Sequence, residues 1–87
     1  MLREASKKKG NFGMGQATRG EARSMGEAWV GPGYRVASDG KTLVSADGLK
    51  VYRPPSYKPR ERKVQANFEW KTARGGRPTG NGHLDIQ

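Results

Sequence analysis

The sequence predicts an α+β domain, with a helix (or two) packed on a roughly five-stranded antiparallel sheet. Three observations carry this reading. Two Asp-Gly pairs, Asp39-Gly40 and Asp47-Gly48, separate short runs that alternate apolar and polar residues, and Asp-Gly is a favoured hairpin turn. One stretch, 16–30, repeats apolar residues at helical spacing. Two later stretches, 64–70 and 83–87, alternate with the period of a strand.

Composition bounds the function. The chain has 87 residues, with 17 Lys and Arg against 8 Asp and Glu and a formal net charge of +9. Leu, Ile, Val and Phe contribute 12 residues, short of the roughly one in five typical of folded chains. Glycine contributes 13, about twice its usual share. A core this small excludes a large cofactor-binding enzyme. No Cys is present, which excludes disulfides and thiolate zinc sites. A single His excludes a His-rich metal site, and the expectation is a protein without cofactor or metal. No apolar run approaches the length of a membrane span or resembles a signal-peptide core. The expectation is a soluble chain without an export signal of its own and without membrane insertion. A small, strongly basic domain attracts polyanions, chiefly nucleic acid or an acidic protein.

Residues 1–15 read as a basic, Gly-rich N-terminal arm or a loosely docked short helix, and 16–87 as one domain. The helix is expected over 16–30. Thr18 caps it, and Glu21 three residues later completes a capping box. Ala22, Met25 and Trp29 form its buried stripe. Gly20 and Gly26 weaken it by about 1 kcal/mol each relative to Ala and allow close packing onto a sheet. Gly31-Pro32-Gly33 ends it.

Strands follow at 34–38, 41–46 and 49–53, joined by two-residue type I′ turns at the Asp-Gly pairs. This meander sets Val36 opposite Leu43 and Leu43 opposite Tyr52, with Arg35, Val44 and Val51 on the other face. A count of apolar side chains gives the helix the face of Ala37, Val44, Ala46, Leu49 and Val51. Pro54-Pro55 is expected to stop the third strand, and 56–63 to form a basic loop. In 64–70, Val64, Ala66, Phe68 and Trp70 point inward, and Gln65, Asn67 and Glu69 outward. In 83–87, Leu84 and Ile86 point inward, leaving His83 and Asp85 on the polar face. Trp29 and Trp70 read as packing residues.

One metal-free reaction suits this inventory: cleavage of RNA by its own 2′-hydroxyl. Nucleophile and phosphate already share a nucleotide, so the protein need only orient them, move two protons and stabilise charge on the phosphorane. His83 suits either proton role. Arg53, Lys58 and Arg60 are candidates for holding the phosphate, and Ser56, Tyr57 or Glu69 for the second proton transfer. Tyr52 and Tyr57 are candidates for stacking a base. Lys50, Arg62, Lys63 and Asn67 complete the expected RNA contacts.

The motifs also resemble a known family. Lys9-Gly10-Asn11-Phe12-Gly13, Ala28-Trp29-Val30-Gly31 and Ser38-Asp39-Gly40-Lys41-Thr42-Leu43-Val44-Ser45 are similar to those of the bacterial polymorphic toxin type 17 family. So are Arg53-Pro54-Pro55-Ser56-Tyr57-Lys58-Pro59, Gln65-Ala66-Asn67-Phe68-Glu69 and Asn81-Gly82-His83-Leu84-Asp85-Ile86. The stretch 72–79 departs from that pattern. The resemblance implies a ribonuclease with a fold of the barnase, EndoU, colicin and RelE kind. It implies a toxin carried at the C-terminus of a larger secreted bacterial protein, acting in the cytoplasm of a target cell. It further implies neutralisation by an acidic cognate immunity protein. Carried over by position, it points to Arg53, Ser56, Lys58, Asn67, Glu69, His83 and Asp85.

Two other readings stand beside this one. Glu69 and Asp85 are a candidate carboxylate pair for a divalent ion in a DNA-cleaving enzyme. The charge and the tyrosines also suit an RNA-binding module without catalysis.

Overall fold

The computed structural model describes residues 2–87. Its elements are α1 (Leu2–Ala5), β1 (Gly10–Ala17), α2 (Arg19–Val30), β2 (Arg35–Val36), β3 (Leu43–Val44), β4 (Lys50–Lys58), β5 (Lys63–Trp70) and β6 (Gly80–Ile86). The strands form one sheet in the order β1-β6-β5-β4-β3-β2. Pairing is antiparallel from β2 to β6, whereas β1 lies parallel to β6. The class is α+β as expected, but the sheet has six strands and is mixed, not the five-stranded antiparallel arrangement of the barnase, EndoU, colicin and RelE kind. The sixth strand comes from the stretch expected to be an arm or a loosely docked short helix: the helix is confined to Leu2–Ala5, while Gly10 to Gly13 pair with Gly80 to His83, and Gln16 and Ala17 with Asp85 and Ile86. Met1, the first residue of that expected arm, lies outside the described residues.

Helix α2 begins where its capping chemistry begins, three residues later than apolar spacing suggests. The Thr18 hydroxyl accepts from the Glu21 N–H, and the Glu21 carboxylate accepts from the Thr18 N–H. Ala22 and Trp29 are buried and Met25 is half-buried, as expected. Gly26 is buried because the Tyr52 ring lies against it; a Cβ there would come within 2.6 Å of Tyr52 Cδ1. The Trp29 indole N–H then donates to the carbonyls of Val51 and Glu69, at 3.2 and 3.1 Å. Those two bonds tie the helix to the backbones of β4 and β5.

The meander register is as expected: Val36 opposes Leu43, Leu43 opposes Tyr52, and Arg35, Val44 and Val51 share the other face. The helix, however, covers the Leu43–Tyr52 face. That row runs on through Phe68 and Gly82 to Phe12, strands outside the meander, so a count within the meander chose the wrong face. Tyr52, Phe68, Leu43 and Leu84 are its fully buried large side chains.

Two local expectations also change. A type I′ turn needs positive φ at both central residues, and here Gly40 and Gly48 have it but Asp39 and Asp47 do not. The aspartates act through their side chains: Asp39 accepts from the N–H groups of Lys41 and Thr42, and Asp47 from that of Leu49. Pro54-Pro55 does not end its strand. Both prolines fall in a β-bulge between Arg53 and Ser56, where the ladder makes no demand for their missing N–H. β4 therefore continues to Lys58, and the basic loop shrinks to a tip at 59–62.

Candidate functional site

Strand alternation and register set a polar face on the side of the sheet away from α2. One row crosses four strands, from Arg53 on β4 to Asn67 on β5, His83 on β6 and Gly13 on β1. The row on one side is Val51, Glu69, Asn81 and Asn11; on the other it is Ser56, Gln65, Asp85 and Gln16. Both register breaks of the sheet fall between the first and last of these rows. One is on β4, between Arg53 and Ser56, and one on β1, between Gly13 and Gln16. Bulges bend a strand and raise its twist, so the sheet is bent on both sides of the Asn67–His83 pair.

Side chains on this face hold one another. The Arg53 Nε–H donates to Glu69 Oε2 at 2.9 Å. Glu69 is buried, while the Arg53 side chain is 52% exposed, so the buried carboxylate anchors a guanidinium that solutes can reach. Asn67 Nδ2 donates to Asn81 Oδ1 and lies 3.1 Å from His83 Nδ1. Gln65 Nε2 and Lys63 Nζ donate to the two oxygens of Asp85, at 2.8 and 3.1 Å. The Gln65 hydrogen bond, then that of Lys63, holds the Asp85 carboxyl below its usual range. Asp85 is therefore committed to fixing the β4–β5 hairpin against β6.

The central strand carries unspent polarity. Gln65 Oε1, Asn67 Oδ1 and Glu69 Oε1 are buried without a hydrogen-bond partner among the described residues. Each orphan acceptor costs about 1–3 kcal/mol. Three at alternate positions on one strand is a concentration of unsatisfied polarity that folding alone does not require.

A cleft of about 340 Å³ opens beside His83, lined also by Gln65, Gly13 and Glu61. Glu61 belongs to the hairpin tip, where Glu61 and Arg62 both donate their N–H to the Lys58 carbonyl. Arg62 has φ 54°, the one non-glycine positive φ among the described residues, and this sharp turn brings the tip over the face. A side chain at Gly13 would meet nothing within 4 Å, so the row ends in open space above β1.

The structure thus gathers Arg53, Asn67, Glu69 and His83 in adjacent rows. Ser56 is exposed one row away, and Asp85 lies in that same third row. Lys58 and Lys63 pair at the base of the hairpin tip, with Arg60 and Arg62 exposed on it. Three expected RNA contacts are elsewhere. Tyr52 is fully buried in the core, 5.1 Å from Phe68 between ring centres, and cannot stack a base. Lys50 lies over the Trp29 ring on the helix side, 4.5 Å from its centre. Tyr57 is 61% exposed but pairs with Val64, on the face opposite His83. Sequence reasoning missed Glu61, which sits inside a basic run; its acidic charge among four cations was the available signal. Comparison with protein-family models, with curated proteins and with solved structures finds no match.

Proposed function

We propose that this protein is a ribonuclease that cleaves cytoplasmic RNA by attack of the 2′-hydroxyl on the adjacent phosphate. The observation that carries the reading is the row Arg53–Asn67–His83, with Glu61 facing His83 across the same cleft. Arg53 and His83 stand two strands apart, about 10 Å at the usual inter-strand spacing. A phosphate fits between them above Asn67.

In this mechanism the Glu61 carboxylate takes the proton from the 2′-hydroxyl as its oxygen bonds to phosphorus. Protonated His83 gives a proton to the departing 5′-oxygen as that bond breaks. The products are a 2′,3′-cyclic phosphate and a free 5′-hydroxyl. Arg53 stabilises the charge that builds on the phosphorane oxygens. Glu69, with one oxygen on Arg53 and the other out of solvent, is a positioning residue for that guanidinium.

The motif resemblance supports a setting for this activity: a toxin at the C-terminus of a larger secreted bacterial protein, acting in a target cell's cytoplasm. The partner in the producing cell is then an acidic immunity protein that covers the cationic face. A divalent-ion DNA nuclease built on Glu69 and Asp85 fits less well. These residues occupy rows that meet β5 at positions 69 and 65, about 13 Å apart along the strand, too far to share one ion.

The test is a matched pair of oligonucleotides, one all-ribose and one with a single deoxyribose at the mapped cut. The reading expects the all-ribose strand to be cut and the substituted one to survive at that position. Equal cleavage of both refutes it.

A further inference from the structure

A second cleft, of about 500 Å³, opens on the same face beyond Arg53, and Arg35, Arg53, Lys71 and Arg74 line it. Arg35 comes from β2, and Arg53 from β4. Lys71 and Arg74 come from the β5–β6 loop, which folds back over the meander. That loop is tied down: the Lys71 N–H donates to the Leu49 carbonyl, the Thr79 N–H to that of Trp70, and the Gly76 N–H to that of Ala73. Arg74 rests on Gly48, where a Cβ would come within 2.9 Å of its Nε.

The charge here is unspent. Among the described residues, the ion pairs are Arg23–Glu27, Arg53–Glu69 and Lys63–Asp85. Arg35, Lys71 and Arg74 belong to none of them. Asp39 also lines the cleft; the hydrogen bonds of Thr42 and Lys41 hold its carboxylate, and its single negative charge leaves the lining net cationic. Three unpaired cations converge on a concave surface, and Arg53 joins it to the row that ends at His83.

We propose that this cleft is a binding subsite for the phosphodiester groups of single-stranded nucleic acid, next to the phosphate held between Arg53 and His83. From β3 to β6 is three inter-strand steps, about 14 Å, enough for a strand to lie across the sheet with one phosphate at each site. The inference rests on the reading of this face as one that handles RNA, and it adds the direction in which the strand runs. It also gives a role to the 72–79 stretch, where the toxin-like motifs lapse.

The experiment is fluorescence anisotropy with a labelled single-stranded deoxyribose octamer, which binds without being cut by a 2′-hydroxyl mechanism. Binding is read at several salt concentrations for wild type, for Lys71→Ala with Arg74→Ala, and for a control, Lys7→Ala with Arg19→Ala. The control removes the same charge from exposed positions outside this cleft. The cleft variant should bind on the order of tenfold more weakly at moderate salt, with a log–log salt slope reduced by about 1.4, two single-strand contacts. The control should keep the wild-type slope. An unchanged slope in the cleft variant, an equal loss in the control, or no salt-dependent binding by wild type overturns the subsite. Displacement of the octamer by poly-glutamate at equal charge also overturns it, because the cleft would then belong to an acidic protein. Active enzyme whose cleft variant binds normally refutes the subsite alone. Cleft-dependent binding without RNA cleavage refutes the ribonuclease reading alone.

Discussion

Asn67 Nδ2 lies 3.1 Å from His83 Nδ1, while Oδ1 of the same amide is buried without a partner. In this orientation Nδ1 accepts, and the neutral ring carries its proton on Nε2. A protonated ring presents N–H at Nδ1 and calls for an acceptor there, which a half-turn of the amide supplies through Oδ1. Position 67 therefore sets which nitrogen of the His83 ring carries the proton. Asn67→Asp places a fixed acceptor and a negative charge beside the ring, with Arg53 on its other side partly offsetting the charge. The expected result is a His83 ring that carries its proton on Nδ1, donating to the new carboxylate, in place of Nε2. The chain has one histidine, so its imidazole ring-nitrogen NMR signals report the tautomer directly; a ring still protonated on Nε2 in the variant contradicts the pairing.

His83→Gln and Glu61→Gln each remove one proton carrier without removing the side chain. Each should lower the rate of RNA cleavage by about 10²–10⁴-fold, with the circular dichroism spectrum of wild type retained. Single-turnover kinetics on a defined RNA decide the matter. Full activity of the Glu61 variant would remove that residue from the chemistry and leave His83 with another partner.

The two helix glycines separate propensity from packing. Gly20 is exposed, and a Cβ there would have nothing within 4 Å, whereas a Cβ at Gly26 would meet the Tyr52 ring. Gly20→Ala should stabilise the fold by up to about 1 kcal/mol. Gly26→Ala should destabilise it by about 1–3 kcal/mol, because overpacking against a buried ring outweighs the helix gain. Urea midpoints for the two variants should therefore move in opposite directions. A stabilising Gly26→Ala would mean that α2 does not sit on Tyr52.

Acid sensitivity has a definite sign. The hydroxyl and N–H of Thr42, then the N–H of Lys41, bring Asp39 from 3.8 to about 2. The Ser45 hydroxyl lowers Asp47, Thr18 lowers Glu21, and Gln65 lowers Asp85. A carboxylate depressed by folding stabilises the native state above its unfolded pKa, and that stabilisation is lost as pH falls through the folded value. Thermal stability should hold from neutrality to about pH 4 and fall below it. Asp39→Asn should remove part of that acid-side slope. Tryptophan fluorescence during melting follows both, and a Tm that rises below pH 4 contradicts the assignment.

Much of this was legible in the residues, and for physical reasons. The capping box of Thr18 and Glu21, the pairing of Val36, Leu43 and Tyr52, and the polar side of Asn67, Glu69 and His83 follow from local rules of spacing and alternation. β1 was hidden because Gly10, Gly13 and Gly15 give it little strand propensity, and its partner, β6, lies some seventy residues away. The burial of Tyr52 depended on Phe68, which only tertiary pairing brings alongside. Glu61 and Arg74 reach their clefts because loops fold over the sheet, an outcome that no period in the sequence records.

The most direct test of the central claim is incubation of the purified protein with total bacterial RNA, with and without EDTA, followed by end-group analysis of the fragments. The account predicts discrete fragments that persist in EDTA, end in 2′,3′-cyclic phosphate and disappear with His83→Gln. Fragments that require a divalent ion, or that form undiminished with His83→Gln, would contradict it.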